Sequence, residues 1–272
     1  MNNSSLIRHR AVRTVIFILA TSLAGFASVI GTFDRSFQVS GPVDLEVLTR
    51  SGDITVRSGA AGTVSIHAKI HSGNSWFGGD HKQEVQELQN NPPIRQNGNS
   101  IRIDYVNLNN ISIDYEITVP ENTAIRAHTG SGNQNVEGLK GNIDLESGSG
   151  DLKLAHLTGE LRFQTGSGNV RGRELSGPAK IKAGSGDIHG NGMPKNLWNV
   201  RTGSGNVTLR VPSDAAFDVD ISSNSGTVTL GHPVTTTVQG RIQESRKSVV
   251  GKVRGGGPTV SVHTGSGDVQ VD

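Results

Sequence analysis

Between Ile125 and Leu230 one phrase keeps returning: Thr129-Gly130-Ser131-Gly132-Asn133, Ser147-Gly148-Ser149-Gly150-Asp151, Thr165-Gly166-Ser167-Gly168-Asn169, Ala183-Gly184-Ser185-Gly186-Asp187 and Thr202-Gly203-Ser204-Gly205-Asn206. Its first glycine stands at 130, 148, 166, 184 and 203, so the spacings are 18, 18, 18 and 19 residues. A fixed period of this length marks stacked repeats, because each unit can bury its apolar side only against its neighbours.

Apolar residues keep register with that glycine. Five and three positions before it stand Ile125 and Ala127, Ile143 and Leu145, Leu161 and Phe163, Ala179 and Ile181, and Trp198 and Val200; four and six after it stand, for example, Leu152 and Leu154, or Val207 and Leu209. Each pair alternates with polar residues such as Asp144, Arg162, Lys180, Lys153, Arg171 and His189, the period-2 pattern of a strand with one buried face. The two pairs lie nine residues apart, so one repeat holds two short strands and two turns. The fold class predicted is all-β: a single-domain parallel β-solenoid of about 18-residue repeats, its coils stacked at the strand spacing. The turns should align in a column along one edge, with glycine supplying positive φ and leaving room for the turn above, and the Asp or Asn after it bonding to the local backbone.

A narrow core suits the composition, since 33% of residues are hydrophobic, 4% are aromatic and 36 of 272 are glycine. No cysteine is present, so sheet pairing and burial must hold the chain together.

At the N-terminus Arg8, His9, Arg10 and Arg13 precede an uncharged run from Thr14 to Phe33. Residues 1–27 read as a signal peptide cleaved after Ala27, or as an N-terminal membrane anchor if they remain attached. Export to the periplasm or cell surface follows from either. Without residues 1–27 the chain has 23 basic and 24 acidic residues, a formal charge of about −1, which removes the main support for a nucleic-acid partner.

Residues 37–272 are assigned to the solenoid. Leu45, Val47, Arg50-Ser51-Gly52-Asp53, Ile54 and Val56 form a divergent first repeat with Arg at the first-glycine position. A first excursion spans 71–93, with a short helix over Asp80 to Gln89 ended by Pro92-Pro93; Trp76 and Phe77 read as pinning this loop, and the spacing of His67, His71 and His81 fits no metal site. Strands resume through Ile101, Ile103 and Ile111 to Val119, and Val119-Pro120 and Val211-Pro212 mark corners. A second excursion, 231–257, carries Arg241, Arg246, Lys247, Lys252 and Arg254 and reads as an exposed hairpin. The chain returns to register at Val260, Val262, Thr264-Gly265-Ser266-Gly267-Asp268, Val269 and Val271.

These recurrent Thr-x-Ser-Gly-Asp/Asn-Val phrases, the two Val-Pro corners, the Gly-rich return and the leader together resemble the bacterial putative-adhesin family, a β-strand-repeat domain of largely unknown function. The resemblance covers about residues 37–272. It implies a β-solenoid exported to the cell envelope and carries over no catalytic, cofactor-binding or metal-ligating residue.

Three functional readings meet this pattern. A calcium ladder is disfavoured because Asn alternates with Asp at 133, 151, 169, 187 and 206, halving the charge available. A carbohydrate-active β-helix enzyme, a polysaccharide lyase or hydrolase, needs paired carboxylates or a base beside a charge-neutralising group; Asp144, Glu146 and Glu160 are scattered among cations instead. The third reading is the one adopted: a non-catalytic, cofactor-free, adhesin-like binding or scaffold module whose expected partner is envelope glycan or another envelope protein. It expects no nucleic acid, and contact with membrane only through an uncleaved N-terminal segment.

Overall fold

The computed structural model describes residues 28–72, 82–235 and 247–272. The expected leader, Trp76, Phe77, His81, Arg241 and Arg246 lie outside these described residues.

Chain order gives β1 (Ser28–Gln38), β2 (Val43–Ser51), β3 (Ile54–Gly59), β4 (Thr63–Ser72), helix α1 (Lys82–Asn90), β5 (Ile94–Asn97), β6 (Ser100–Ile103) and β7 (Ile111–Pro120). The repeats supply β8 (Thr123–Ser131), β9 (Gln134–Glu137), β10 (Ile143–Ser149), β11 (Leu152–Thr158), β12 (Leu161–Ser167), β13 (Val170–Ser185), β14 (Ile188–Ser204) and β15 (Val207–Arg210). Then follow β16 (Phe217–Ser225), β17 (Val228–Leu230), β18 (Val234–Thr235), β19 (Ser248–Val253), β20 (Thr259–Ser266) and β21 (Val269–Val271).

The all-β class holds, and the period fixes the pairing in the middle of the chain. Ile125 pairs with Ile143, Ile143 with Leu161, Leu161 with Ala179 and Ala179 with Trp198, all parallel and in the expected register. This is the first wall. The second wall stacks Gln134, Leu152, Val170, Ile188 and Val207 in the same parallel manner. Strands β13 and β14 run through both walls, bending at register shifts near Gly172 and Gly177, and join them into one 21-stranded sheet.

One uninterrupted parallel solenoid from Phe37 to Asp272 is not what the pairing shows. Antiparallel pairs close both ends: β1 with β4, β4 with β7 and β5 with β6 at one, β16 with β19 and β18 with β19 at the other. Spatial order also departs from chain order. The coil β2–β3 lies between β6–β7 and β8–β9. The coil β20–β21 lies between β14–β15 and β16–β17. The divergent Arg50 repeat nevertheless keeps register, with Thr49 opposite Thr129 and Ser51 opposite Ser131.

Strand β1 begins ahead of the boundary expected at 37, taking in the tail of the uncharged run and burying Phe33 edge-on against Tyr115. The expected helix is present. Val85 and Leu88, three residues apart on one face, are buried, so the excursion is docked to the body rather than free of it. Arg35 Nη2 donates to the Gln89 and Asn90 carbonyls at 2.9 and 3.1 Å, placing a cation at the helix C-terminus.

Leu45, Ile54, Leu145, Leu152, Phe163, Val200 and Val207 are completely buried, while Lys153 and Arg171 are exposed, as the alternation requires. The residue before the first glycine also faces in, and its hydroxyl has a use. Ser147 donates to the Gly132 carbonyl at 3.1 Å, Thr165 to Gly150 at 3.1 Å, Thr202 to Gly186 at 3.2 Å and Thr264 to Gly205 at 3.0 Å. These bonds satisfy carbonyl groups that the corner takes out of water.

The corner departs from the expectation in one respect and keeps to it in another. Positive φ falls on the second glycine of each phrase, as at Gly186 (146°). The first glycine is required for space: a Cβ at Gly148 would stand 2.5 Å from the Gly130 carbonyl oxygen of the coil beside it. The opposite corner also has a glycine column at 141, 159 and 177, and it ends where Trp198 Nε1 donates to the Gly177 carbonyl at 2.7 Å.

Candidate interaction surface

The Asp or Asn after each glycine turn does not bond locally. Its Oδ1 accepts the backbone N–H of the equivalent residue one coil along. Asp114 receives from Asp53, Asp53 from Asn133, Asn133 from Asp151, Asp151 from Asn169, Asn169 from Asp187, Asp187 from Asn206, Asn206 from Asp268 and Asp268 from Thr227, all at 2.8–3.0 Å. From Asp53 to Asp268 acid and amide alternate strictly, which keeps carboxylates two coil spacings apart, close to the screening length of physiological salt. The Asn169 N–H and, next to it, Arg171 hold the Asp151 carboxyl below the usual carboxylate range, with Arg171 Nη1 at 3.0 Å. With Oδ1 so committed, this edge is a structural ladder.

Among the described residues one Ser-His-Asp group is a geometric candidate for catalysis, and the sequence left it scattered over 44 positions. The β16–β20 pairing brings Ser222 Oγ to 2.6 Å from His263 Nδ1, Ser261 Oγ stands 3.0 Å from Nε2, and Asp220 Oδ2 stands 3.9 Å from Nε2. The carboxylate is beyond hydrogen-bond reach, and β20 is paired on both sides by β14 and β16, so its amides serve the ladder rather than a developing oxyanion. His67 and His71 sit on β4 and are each taken by a different carboxylate, Asp34 and Asp114, at 2.8 Å.

The outward columns differ from wall to wall. Across the first wall signs alternate: Arg102 meets Glu46, Glu46 lies beside Arg126, and Asp144 stands 4.0 Å from Arg126 and 3.8 Å from Arg162. Beyond Arg162 this wall turns cationic through Lys180, Lys182 and Arg201. On the second wall one column runs Thr55, Asn135, Lys153, Arg171, His189, Thr208 and Gln270 on successive coils, with no acid in it. Beside it stand Arg173 and Arg210. Lys153, Arg173, His189 and Arg210 have no hydrogen bond or ion pair among the described residues. Five of these side chains, Arg171, Arg173, His189, Thr208 and Arg210, line a shallow cleft of about 320 Å³ together with Asn191. A neighbouring cleft of about 550 Å³ shares Asn191 and Arg210 and adds Met193 and Pro212. The 18-residue period put Lys153, Arg171 and His189 on one outward column; it did not show the clefts beside them, nor Thr55 and Gln270 at its ends, which come from the intercalated coils.

No curated protein matches this chain. Among solved structures it is similar to a putative cell adhesion protein from Clostridium sporogenes ATCC 15579, at 13% identity over 88% of this chain and 98% of that one, with a TM-score of 0.36. It is also similar to a putative adhesin from Bacteroides fragilis NCTC 9343, at 14% identity over 89% and 98%, with a TM-score of 0.42. The family described as Toastrack DUF4097 matches twice, over residues 43–171 and 155–272, and together these matches run from the intercalated coil β2–β3 to the C-terminal Asp272. The chain belongs to the Toastrack DUF4097 family.

Proposed function

We propose that this chain is a non-catalytic, extracytoplasmic module of the bacterial cell envelope, a β-solenoid of stacked parallel coils with antiparallel ends, which binds or scaffolds envelope glycan or another envelope protein. The observation that carries the reading is the set of unpaired polar and cationic side chains held in registered columns on a hydrogen-bonded wall. Equal spacing from coil to coil lets a repetitive partner make many weak contacts at once, and avidity then replaces a single strong site. The basic and apolar leader supports export.

A hydrolytic reading has the His263 group in its favour, and the 3.9 Å gap to Asp220 and the committed amides against it. A glycan-array screen run beside a turnover assay on acidic polysaccharides separates the two. Glycan binding without product release is expected. Product release that His263→Ala abolishes would replace the binding module with an enzyme. Fractionation of cells expressing the full chain tests the location, with recovery in the periplasmic or surface fraction expected.

A further inference from the structure

Charge is distributed very unevenly along this chain. Of its 26 Lys and Arg and 24 Asp and Glu, eight and two respectively fall between residues 161 and 210. Arg162, Lys180, Lys182 and Arg201 line the first wall, whereas Arg171, Arg173 and Arg210 stand together on the second and line one cleft there. Lys153 lies directly beside Arg171 and Arg171 beside His189 on adjacent parallel strands. Like charges so placed destabilise a sheet. Elsewhere the same fold relieves this arrangement: Asp144 stands between Arg126 and Arg162 on the first wall. Of Lys153, Arg171, Arg173 and Arg210, only Arg171 has an ion-pair partner among the described residues, Asp151 at 3.0 Å, and that acid is already accepting the Asn169 amide; Glu174, next to Arg173, is taken by His156 at 2.9 Å. The unpaired charges of Lys153, Arg173 and Arg210 have no counterpart in packing, since all three side chains are exposed.

We infer that the outer face of the second wall, over Lys153, Arg171, Arg173, His189 and Arg210, is a docking track for a linear acidic polysaccharide lying along the stacking axis. This rests on the binding reading above and assigns it a site and a ligand class. Charge complementarity supplies the attraction, and a guanidinium pairs a carboxylate or sulfate through two parallel N–H donors. Geometry supplies the register. Coils repeat at about 4.8 Å, close to the length one pyranose ring adds to an extended chain, so successive sugars meet successive rungs. At both ends the cations give way to Thr55, Asn135, Thr208 and Gln270, whose hydroxyl and amide groups suit sugar hydroxyls. The column contains no Phe, Tyr or Trp, the platforms on which single-stranded nucleic acid stacks its bases.

Binding of fluorescent polygalacturonate to the mature chain, read by anisotropy, tests the track. Micromolar or tighter binding that weakens with added salt is expected. Arg173→Glu combined with Arg210→Glu should weaken it by roughly tenfold or more, a change of about 1.4 kcal/mol per factor of ten. The control carries the same charge change on the first wall, Lys180→Glu with Arg201→Glu, and should stay within about threefold of the wild type. Unchanged melting temperatures certify both folds; if the first pair melts early, Arg173→Gln alone replaces it, with a smaller loss expected. Equal loss in both variants overturns the track, as does tighter binding of the wild type to a single-stranded oligonucleotide or to phosphatidylglycerol vesicles. Absence of polygalacturonate binding also overturns it; a neutral glycan bound on the array would then leave the binding module standing without this ligand class.

Discussion

In the middle of the molecule each coil's neighbour in space is its neighbour in sequence, and the ladder bond from Asp151 to Asn133 spans 18 positions. At the ends the same bond, made by the same side chains, spans 80 positions between Asn133 and Asp53 and 62 between Asp268 and Asn206. Local geometry is thus identical where connectivity is not. What differs is the surroundings: middle coils are covered by a coil on both sides, whereas the ends are finished by antiparallel strands and by a helix resting on β1. A disturbance in the middle has two coils to spread into, and one at an end has a local patch.

The largest effect should come from placing a charge in the middle of the core. Phe163→Asp should abolish cooperative thermal unfolding, a cost on the order of 4 kcal/mol or more. Leu88→Asp on the end helix should cost about 1–3 kcal/mol and raise hydrogen exchange only in residues 82–90 and β1, while Lys153→Asp should fall within about 0.5 kcal/mol. Equal losses at Phe163 and Leu88 would erase the distinction between middle and end.

Glycine sharpens it next. Gly186→Ala puts a Cβ 2.0 Å from the Gly168 carbonyl oxygen at a φ of 146°, whereas Gly98, at the β5–β6 turn with a φ of 59°, has nothing within 4 Å. The first should cost roughly 3 kcal/mol and the second about 1 kcal/mol, measured by chemical denaturation.

A smaller effect concerns acid. Because the folded-state pKa of Asp151 is depressed, its contribution is fully present above the ordinary value of about 3.8 and is lost as pH falls through the lower, folded value. Asp151→Asn should therefore flatten the acid limb of the stability profile while leaving neutral stability little changed, since Asn at 133, 169 and 206 fills the equivalent place. The double change Asp151→Asn with Asp187→Asn should melt alike with calcium and with chelator. A calcium-dependent rise in the wild type that vanishes in this variant would turn the ladder into an ion site.

Least of all, Asp144→Asn on the first wall should alter stability by no more than about 0.5 kcal/mol, as its partners at 3.8 and 4.0 Å are exposed. A loss above 1 kcal/mol would show that the alternating column acts as a network.

The apolar register of Leu145, Phe163 and Ile181 was legible because alternation reports a face directly, whatever the partner strand. The intercalated coils were not. Leu45, Ile125 and Val260 occupy equivalent core positions, so any coil can stack on any other and nothing local states the order. The Lys153, Arg171 and His189 column, at 18-residue spacing, was legible from the period, whereas its continuation to Thr55 and Gln270 on the intercalated coils was not. The role of the two glycines was half legible: the phrase announces a corner, but which glycine bears positive φ and which meets a neighbouring carbonyl depends on the adjacent coil.

Intercalation also sets a timetable. During synthesis β16 and β17 leave the ribosome before β20 and β21, the strands on which they must lie, and β14 and β15 wait for the same segment. Growth outward from β8, one coil at a time, can therefore run only as far as β15. From there the C-terminal end can close only after the last strands are made, so a chain truncated before Thr259 would leave two incomplete edges open to pairing with other molecules. Until Thr259 to Asp272 arrive, β14–β15 and β16–β17 have no coil between them, so four strands made earlier share one late partner.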